Sequence, residues 1–185
     1  MPSEPPLDVT ALLERHARAD PEARQQLFAA LYDDLRAVAR RVFRGDEATL
    51  QPTALVHEAW MRFVGGQAKP ADRQAFLALA AHVMRHVLVD HARARSAVKR
   101  GGGARPVTLD VGQIGARAEV DPADLGECLD KLAGLNERHA RVVELRVLAG
   151  MTIAETAAEL GVGHSTVESD WAMARAWLRT ELAPD

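Results

Sequence analysis

The stretch Thr152-Ile-Ala-Glu-Thr-Ala-Ala-Glu-Leu-Gly-Val-Gly-His-Ser-Thr-Val constrains this chain more than any other. Two helices that cross steeply must touch at a small side chain, and Ala157 supplies one. Four positions later, Gly161 tolerates the left-handed backbone that a tight turn between them needs. Val162 and Val167 then fill the angle between the helices. Thr152 with Glu155, and Ser165 with Glu168, have capping-box spacing: the hydroxyl accepts from the amide three residues on, and the Glu reaches back. Caps, turn and packing agree on a helix-turn-helix.

The second helix of such a unit enters the DNA major groove with its N-terminal residues toward base edges. That nominates His164, Ser165, Thr166, Ser169 and Asp170 for bases, with Arg175 and Arg179 for phosphates. Asp170 would accept from a cytosine amino group. Glu168 reads as a cap. Trp171 falls on the stripe with Val167 and Met173-Ala174, which makes it core rather than a stacking platform.

Helical period governs the rest of the chain too. Val9, Leu12 and Leu13 mark a short helix within 8–19. Asp20-Pro21 and Asp121-Pro122 are start signals, with Asp as N-cap and Pro in the first turn. Leu27, Leu31, Leu35, Val38 and Val42 stripe the next helix, which Arg44-Gly45-Asp46 ends. Pro52 opens a third, with Leu55, Val56, Ala59, Trp60 and Phe63 inward, and Gly65-Gly66 stops it. Asp72 caps a long fourth, with Phe76, Leu79, Ala80, Val83, Val87 and Leu88 inward. Later helices are expected over 122–133, 137–149, 152–160 and 165–182.

From 104 to 120 the pattern fails at Pro106, Gly112 and Gly115, as a linker does. No alternating period supports a sheet. The expectation is an all-α fold: two small helical domains, 1–103 and 121–185, joined by a flexible linker, 104–120. With 48% hydrophobic and 26% charged residues, the chain is globular rather than disordered.

The net charge of −3 does not advertise nucleic-acid binding, so charge must be read locally. Between 85 and 105, six basic residues (Arg85, Arg93, Arg95, Lys99, Arg100, Arg105) stand against the single acid Asp90. Following an apolar face and ending in Gly101-Gly102-Gly103, this reads as a surface that tracks phosphates. The single Cys128 excludes an internal disulfide and fits a reducing compartment. No apolar run approaches the roughly 20 residues that span a bilayer. Met1 to Leu7 is Pro-rich and acidic, unlike a secretory signal, so the expected location is cytoplasmic.

A helical domain ending in a basic Asp-x-x-Arg helix, then a linker and a helix-turn-helix, resembles the extracytoplasmic-function (ECF) sigma factors of bacterial RNA polymerase. Val83-Met-Arg-His-Val-Leu-Val-Asp-His-Ala-Arg93 is similar to the family's promoter −10 recognition helix. Leu55-Val-His-Glu-Ala-Trp-Met-Arg-Phe63 is similar to its polymerase-binding helix. Leu135-Asn-Glu-Arg-His139 and the stretch 145–178 are similar to its −35-binding domain. The resemblance spans about residues 27–182.

It implies a non-enzymatic subunit without cofactor or metal. The first domain, a sigma region 2 bundle, would bind the β′ clamp helices through Gln51, Thr53, Leu55, Val56, Glu58 and Trp60. It would capture an unstacked −10 base with Arg85, His86, Asp90, Arg93, Arg95, Lys99 and Arg100. Region 4, the helix-turn-helix, would read the −35 element and touch the β flap. Melting would need no nucleotide hydrolysis, because single-strand capture offsets lost pairing.

One departure from the family matters. An acidic cluster usually precedes the Leu-Val-x-Glu motif, and here those positions read Gln51-Pro52-Thr53-Ala54. Losing several charge-assisted contacts weakens an interface by a few kcal/mol, roughly. A phosphate on Thr53, in the first helical turn, would restore about −1.5 to −2 charge at the positive end of the helix dipole. The family subgroup that this sequence resembles is associated with Ser/Thr kinases, so phosphorylation of Thr53 is the expected switch.

Other readings are weaker. His82, His86 and His91 lack a carboxylate or thiol to complete a metal set. The Gly101 triplet follows a basic helix rather than a strand and lacks the Lys-Ser/Thr of a phosphate loop. A stand-alone helix-turn-helix regulator would bind duplex DNA without polymerase, and an adaptor would bind polymerase without promoter function. Whether a separate anti-sigma protein exists is left open.

Overall fold

The computed structural model describes residues 8–42, 51–98 and 122–182. The stop at Arg44-Gly45-Asp46, the Gly101 triplet, the linker 104–120 and Lys99, Arg100 and Arg105 lie outside the described residues, as do the side chains of His91 and Arg95.

Three of the first four helices start at an aspartate that caps them. Asp8 accepts from the amides of Thr10 and Ala11 and opens α1 (Val9–Ala17). Asp20 accepts from Glu22 and Ala23 at the head of α2 (Pro21–Val42). Asp72 accepts from Ala75 at the head of α4 (Arg73–Val98). The exception is α3 (Pro52–Gly65): Gln51 is its N-cap residue and makes no side-chain cap bond.

These helices bury the stripes that their spacing dictates. Leu27, Leu31, Leu35, Leu55 and Val56 are at most 1% exposed. Phe63 meets Phe76 edge-on at 4.9 Å between ring centroids and Trp60 at 5.5 Å, while Phe28 closes on Trp60 at 4.9 Å. Aromatic pairs of this geometry add about 0.5–1.5 kcal/mol beyond the area they bury. This cluster fixes α3 against α2 and α4.

The second half comprises α5 (Pro122–Leu135), α6 (Glu137–Val143), α7 (Ile153–Leu160) and α8 (His164–Glu181). The end of α6 widens into a π-helical turn, Glu144–Ala149, closed by Gly150. Leu125, Cys128, Leu129 and Leu132 of α5 pack on Ala140, Val143, Ala174 and Leu178. Where α7 crosses α8, Ala157 and Val167 meet with Val142 beneath them. Gly161 takes the left-handed backbone at φ 65°, and the Thr152–Glu155 capping box is formed in both directions.

Two local expectations are corrected. The Ser165–Glu168 capping box is not formed, because α8 begins at His164 behind Gly163 as N-cap. Ser165 is therefore already helical, and its side chain makes no cap. Met173 is 62% exposed, and only Ala174 of that pair turns inward.

The two halves pack against each other. Leu145, Leu148, Ala149 and Met151 join the core cluster of the first half. Arg41 Nη1 of α2 donates to the Ala149 carbonyl at 3.1 Å. Gly150 is favoured by its backbone, with φ at +76°, and a Cβ there would lie 2.6 Å from the guanidinium carbon at the movable tip of Arg41. Burying side chains such as Leu145 and Leu148 contributes about 1.5–3 kcal/mol each. Among the described residues there is no strand.

Candidate polymerase and nucleic-acid interface

The polymerase-facing candidates of α3 divide by side. Leu55 and Val56 are fully buried and Trp60 is 9% exposed, so these three hold the helix in its bundle rather than present a surface. That corrects their assignment as contacts. Gln51 and Glu58 are exposed and Thr53 half-buried. Glu58 pairs with Arg62 at 3.3 Å, and Arg62 reaches Asp90 of α4 at 3.6 Å. The outward face also carries Ala54, His57 and Met61, the last 66% exposed. Their spacing, complementary to the buried stripe, was the available signal for that face.

The nominated residues of α4 are divided in the same way. Asp90 and Arg93 are exposed and His86 half-buried. Arg85, nominated for DNA, is 7% exposed and covered by the second half. Its Nε lies 2.7 Å from Glu144 Oε1, misaligned for a linear hydrogen bond, so the contact is an ion pair. Glu144 also meets His82 Nδ1 at 3.1 Å and Arg141 Nη1 at 3.0 Å.

Burial alone would raise the Glu144 carboxyl. The hydrogen bond and charge of His82, the charge of Arg85 and the hydrogen bond of Arg141 outweigh it and hold the group down at about 2. His86, whose ring lies 4.5 Å from that of His82, is shifted down by burial, then by the charges of Arg85 and His82. Glu144 interrupts the apolar run Val142-Val143-Glu144-Leu145, which was the sequence sign of a buried ion pair.

On α8, His164, Ser165 and Ser169 are exposed on the N-terminal turns, with Thr166 and Arg175 half-exposed. Asp170 does not join them. It is 5% exposed, and its carboxylate accepts from Arg138 Nε and Nη2 and lies 3.2 Å from His139 Nε2. The Arg138 hydrogen bond, foremost, holds its carboxyl below the usual range despite burial. A cytosine amino group cannot reach a carboxylate so engaged, which corrects the base-reading expectation. Trp171 packs into both second-half clusters, with the Arg146 guanidinium carbon 5.7 Å from its ring centroid.

An exposed helix-turn-helix face on α8 and an arginine-bearing α4 lie in one helical chain, in the order that the motifs gave. A family model described as ECF sigma factor matches residues 6–184. The chain belongs to the ECF sigma factor family. Members are non-catalytic initiation factors that bind core RNA polymerase and promoter DNA.

Among the relatives of this ECF sigma factor is the probable RNA polymerase sigma-C factor of Mycobacterium bovis. It is 31% identical over 132 residues, covering 71% of this chain and 70% of the relative. The ECF RNA polymerase sigma factor SigL of Mycobacterium tuberculosis is 29% identical over 162 residues, 80% of this chain and 84% of that one. The solved structure of CnrH in complex with the cytosolic domain of CnrY shares 22% identity over 92% of this chain and 94% of that one, at a TM-score of 0.43. Among the described residues, no helix is long and apolar enough to cross a membrane.

Proposed function

We propose that this ECF sigma factor works in the cytoplasm as a promoter-specificity subunit whose polymerase docking is switched on by phosphorylation of Thr53. Residues 1–103 dock on the β′ clamp helices through the exposed face of α3 and engage the −10 element with α4. Residues 104–120 act as a linker. Residues 121–185 read the −35 element with His164, Ser165, Thr166 and Ser169 and contact the β flap.

The observation that carries the switch is the bare start of α3. Gln51 makes no side-chain cap bond there, Thr53 does not cap the helix, and its first turn holds no acidic residue. A phosphate on Thr53 supplies the missing negative charge where the helix dipole favours it. The partner this requires is a Ser/Thr protein kinase.

Reconstituted transcription with core polymerase tests the reading, comparing unmodified and Thr53-phosphorylated protein. Phosphorylation should raise both polymerase pull-down and run-off product, Thr53→Glu should mimic it in part, and Thr53→Ala should stay low in cells containing the kinase. Full promoter activity of Thr53→Ala in such cells refutes the switch.

A further inference from the structure

Where the turn after α1 meets the connection between α3 and α4, residues 66–72, a cavity of about 230 Å³ opens. Leu13, Phe63 and Val64 line it with apolar surface, and His16, Arg24 and Lys69 line it with basic nitrogen. No aspartate or glutamate stands among its described lining residues. Drug-sized pockets hold about 300–1,000 Å³, so this one takes a compact ligand. None of the three basic side chains belongs to the helix-turn-helix or to the candidate contacts of α3 and α4.

The fold does not neutralise these groups. Arg24 and Lys69 are exposed and have no ion-pair or hydrogen-bond partner among the described residues. The acids of the neighbouring turn are engaged elsewhere: Asp20 accepts from Arg15 Nε at 2.9 Å and caps α2, and Glu22 accepts from Gln26 at 3.3 Å. The His16 ring lies 5.0 Å from that of Phe63, and its Nδ1 is buried without a hydrogen-bond partner. Nε2 is therefore the ring nitrogen left to carry a useful donor. Burial, then the charge of Arg24, lowers the His16 pKa, the direction expected of a ring that faces positive charge. Ala19, also on the wall, is the one non-glycine residue with left-handed backbone among the described residues, at φ 64°. Strain of this kind gathers at ligand sites.

We propose that this cavity binds a small phosphate monoester with a compact apolar body. Such a group carries about −1.5 to −2 charge at neutral pH, which the two permanent cations Arg24 and Lys69 match. His16 donates to a phosphate oxygen, and the apolar body covers Phe63 and Val64. A carboxylate carries half that charge and leaves one cation unmet. The ligand ties α1 and α2 to the connection into α4 and stabilises the first half by mass action. The inference is independent of the Thr53 switch and of the DNA readings of α4 and α8.

Phenyl phosphate is the probe, titrated into the full chain by calorimetry, with inorganic phosphate and phenol as its two halves. Phenyl phosphate should bind with a Kd on the order of 1 mM or tighter. Inorganic phosphate should bind roughly tenfold more weakly, for want of the apolar contact, and phenol should give no heat. Amide shifts in NMR spectra should concentrate at residues 13–24 and 63–70, which enclose the cavity.

Arg24→Gln with Lys69→Gln changes only exposed side chains, so the unliganded melting temperature should hold while phenyl phosphate binds at least roughly tenfold more weakly. His16→Phe keeps a ring against Phe63 and deletes the donor, and should weaken the probe by roughly threefold to tenfold. No binding of phenyl phosphate at roughly 10 mM, equal binding by wild type and the double variant, or shifts centred on α4 or α8 overturns the inference. Displacement of the probe by a single-stranded oligonucleotide at matched phosphate concentration assigns the cavity to a nucleic-acid backbone and overturns the small-ligand proposal as well.

Discussion

Asp170 of α8 is held by Arg138 of α6, with Nη2–Oδ1 at 3.2 Å and the shorter contact through Nε, and His139 joins from the next position. The pair locks the rotation of the recognition helix relative to α6. Asp170→Ala should cost about 1–2 kcal/mol in urea denaturation, toward the low end for a broken buried pair. The low end is expected because the orphaned Arg138 side chain is 47% exposed and finds water. Affinity for a −35 duplex should fall in parallel, across all base sequences. A base-reading role predicts the opposite pattern: unchanged stability, with specificity lost at a single base pair.

Acid should destabilise the fold, in two stages. His86 sits below its ordinary value of 6.5, so as pH falls the unfolded chain takes up a proton that the folded ring resists, and folding stability weakens below that value. Glu144 runs from 4.5 to about 2, so its stabilisation is complete above the upper value and is lost as pH falls toward the lower. The second stage is on the order of 3 kcal/mol. Urea midpoints from neutral to acid pH should decline in both windows, and Glu144→Gln should remove the lower one. A midpoint insensitive to pH between 4.5 and about 2 in wild type contradicts the Glu144 assignment.

What the sequence made legible was local. Apolar spacing placed the buried faces of α2 and α3, and Asp-Pro or Thr-x-x-Glu chemistry placed the helix starts, because caps and stripes act within a few residues. The pairings that decide which charges are free act at long range. Arg85 looked like a free cation because its partners, Asp130 and Glu144, stand beyond a stretch read as linker. Asp170 looked exposed because Arg138 is 32 residues away. Leu55 and Val56 came with a motif that binds polymerase as a unit, and motif matching does not distinguish its inward residues from its outward ones.

The Arg41–Gly150 contact should be sensitive to a single methyl group. Gly150→Ala forces an L-residue to φ +76° and drives its Cβ into the Arg41 guanidinium, whereas Gly161→Ala meets the first strain alone. Left-handed backbone costs a non-glycine residue about 1–2 kcal/mol, so both variants should lose at least that in urea denaturation. Only Gly150→Ala should also free Arg41 from the Ala149 carbonyl and increase the distance between dyes placed on the two halves. Equal dye distances in the two variants would mean that Arg41 yields without disturbing the docked halves.

The outward face of α3 should separate binding from folding. Met61 is 66% exposed on the side opposite Leu55 and Val56, so Met61→Ala removes apolar surface that the monomer does not use. Its stability should stay within about 0.5 kcal/mol of wild type. If that face meets polymerase, core-enzyme affinity should drop roughly tenfold, as for a well-placed apolar contact worth a little over 1 kcal/mol. Leu55→Ala should do the reverse, losing about 2–5 kcal/mol of stability from a fully buried site and affecting polymerase binding only through the unfolded fraction. Measuring both variants by thermal melt and by core-polymerase pull-down at a temperature where both are folded separates the roles. A Met61→Ala protein that binds core enzyme as tightly as wild type would move the docking surface off this face of α3.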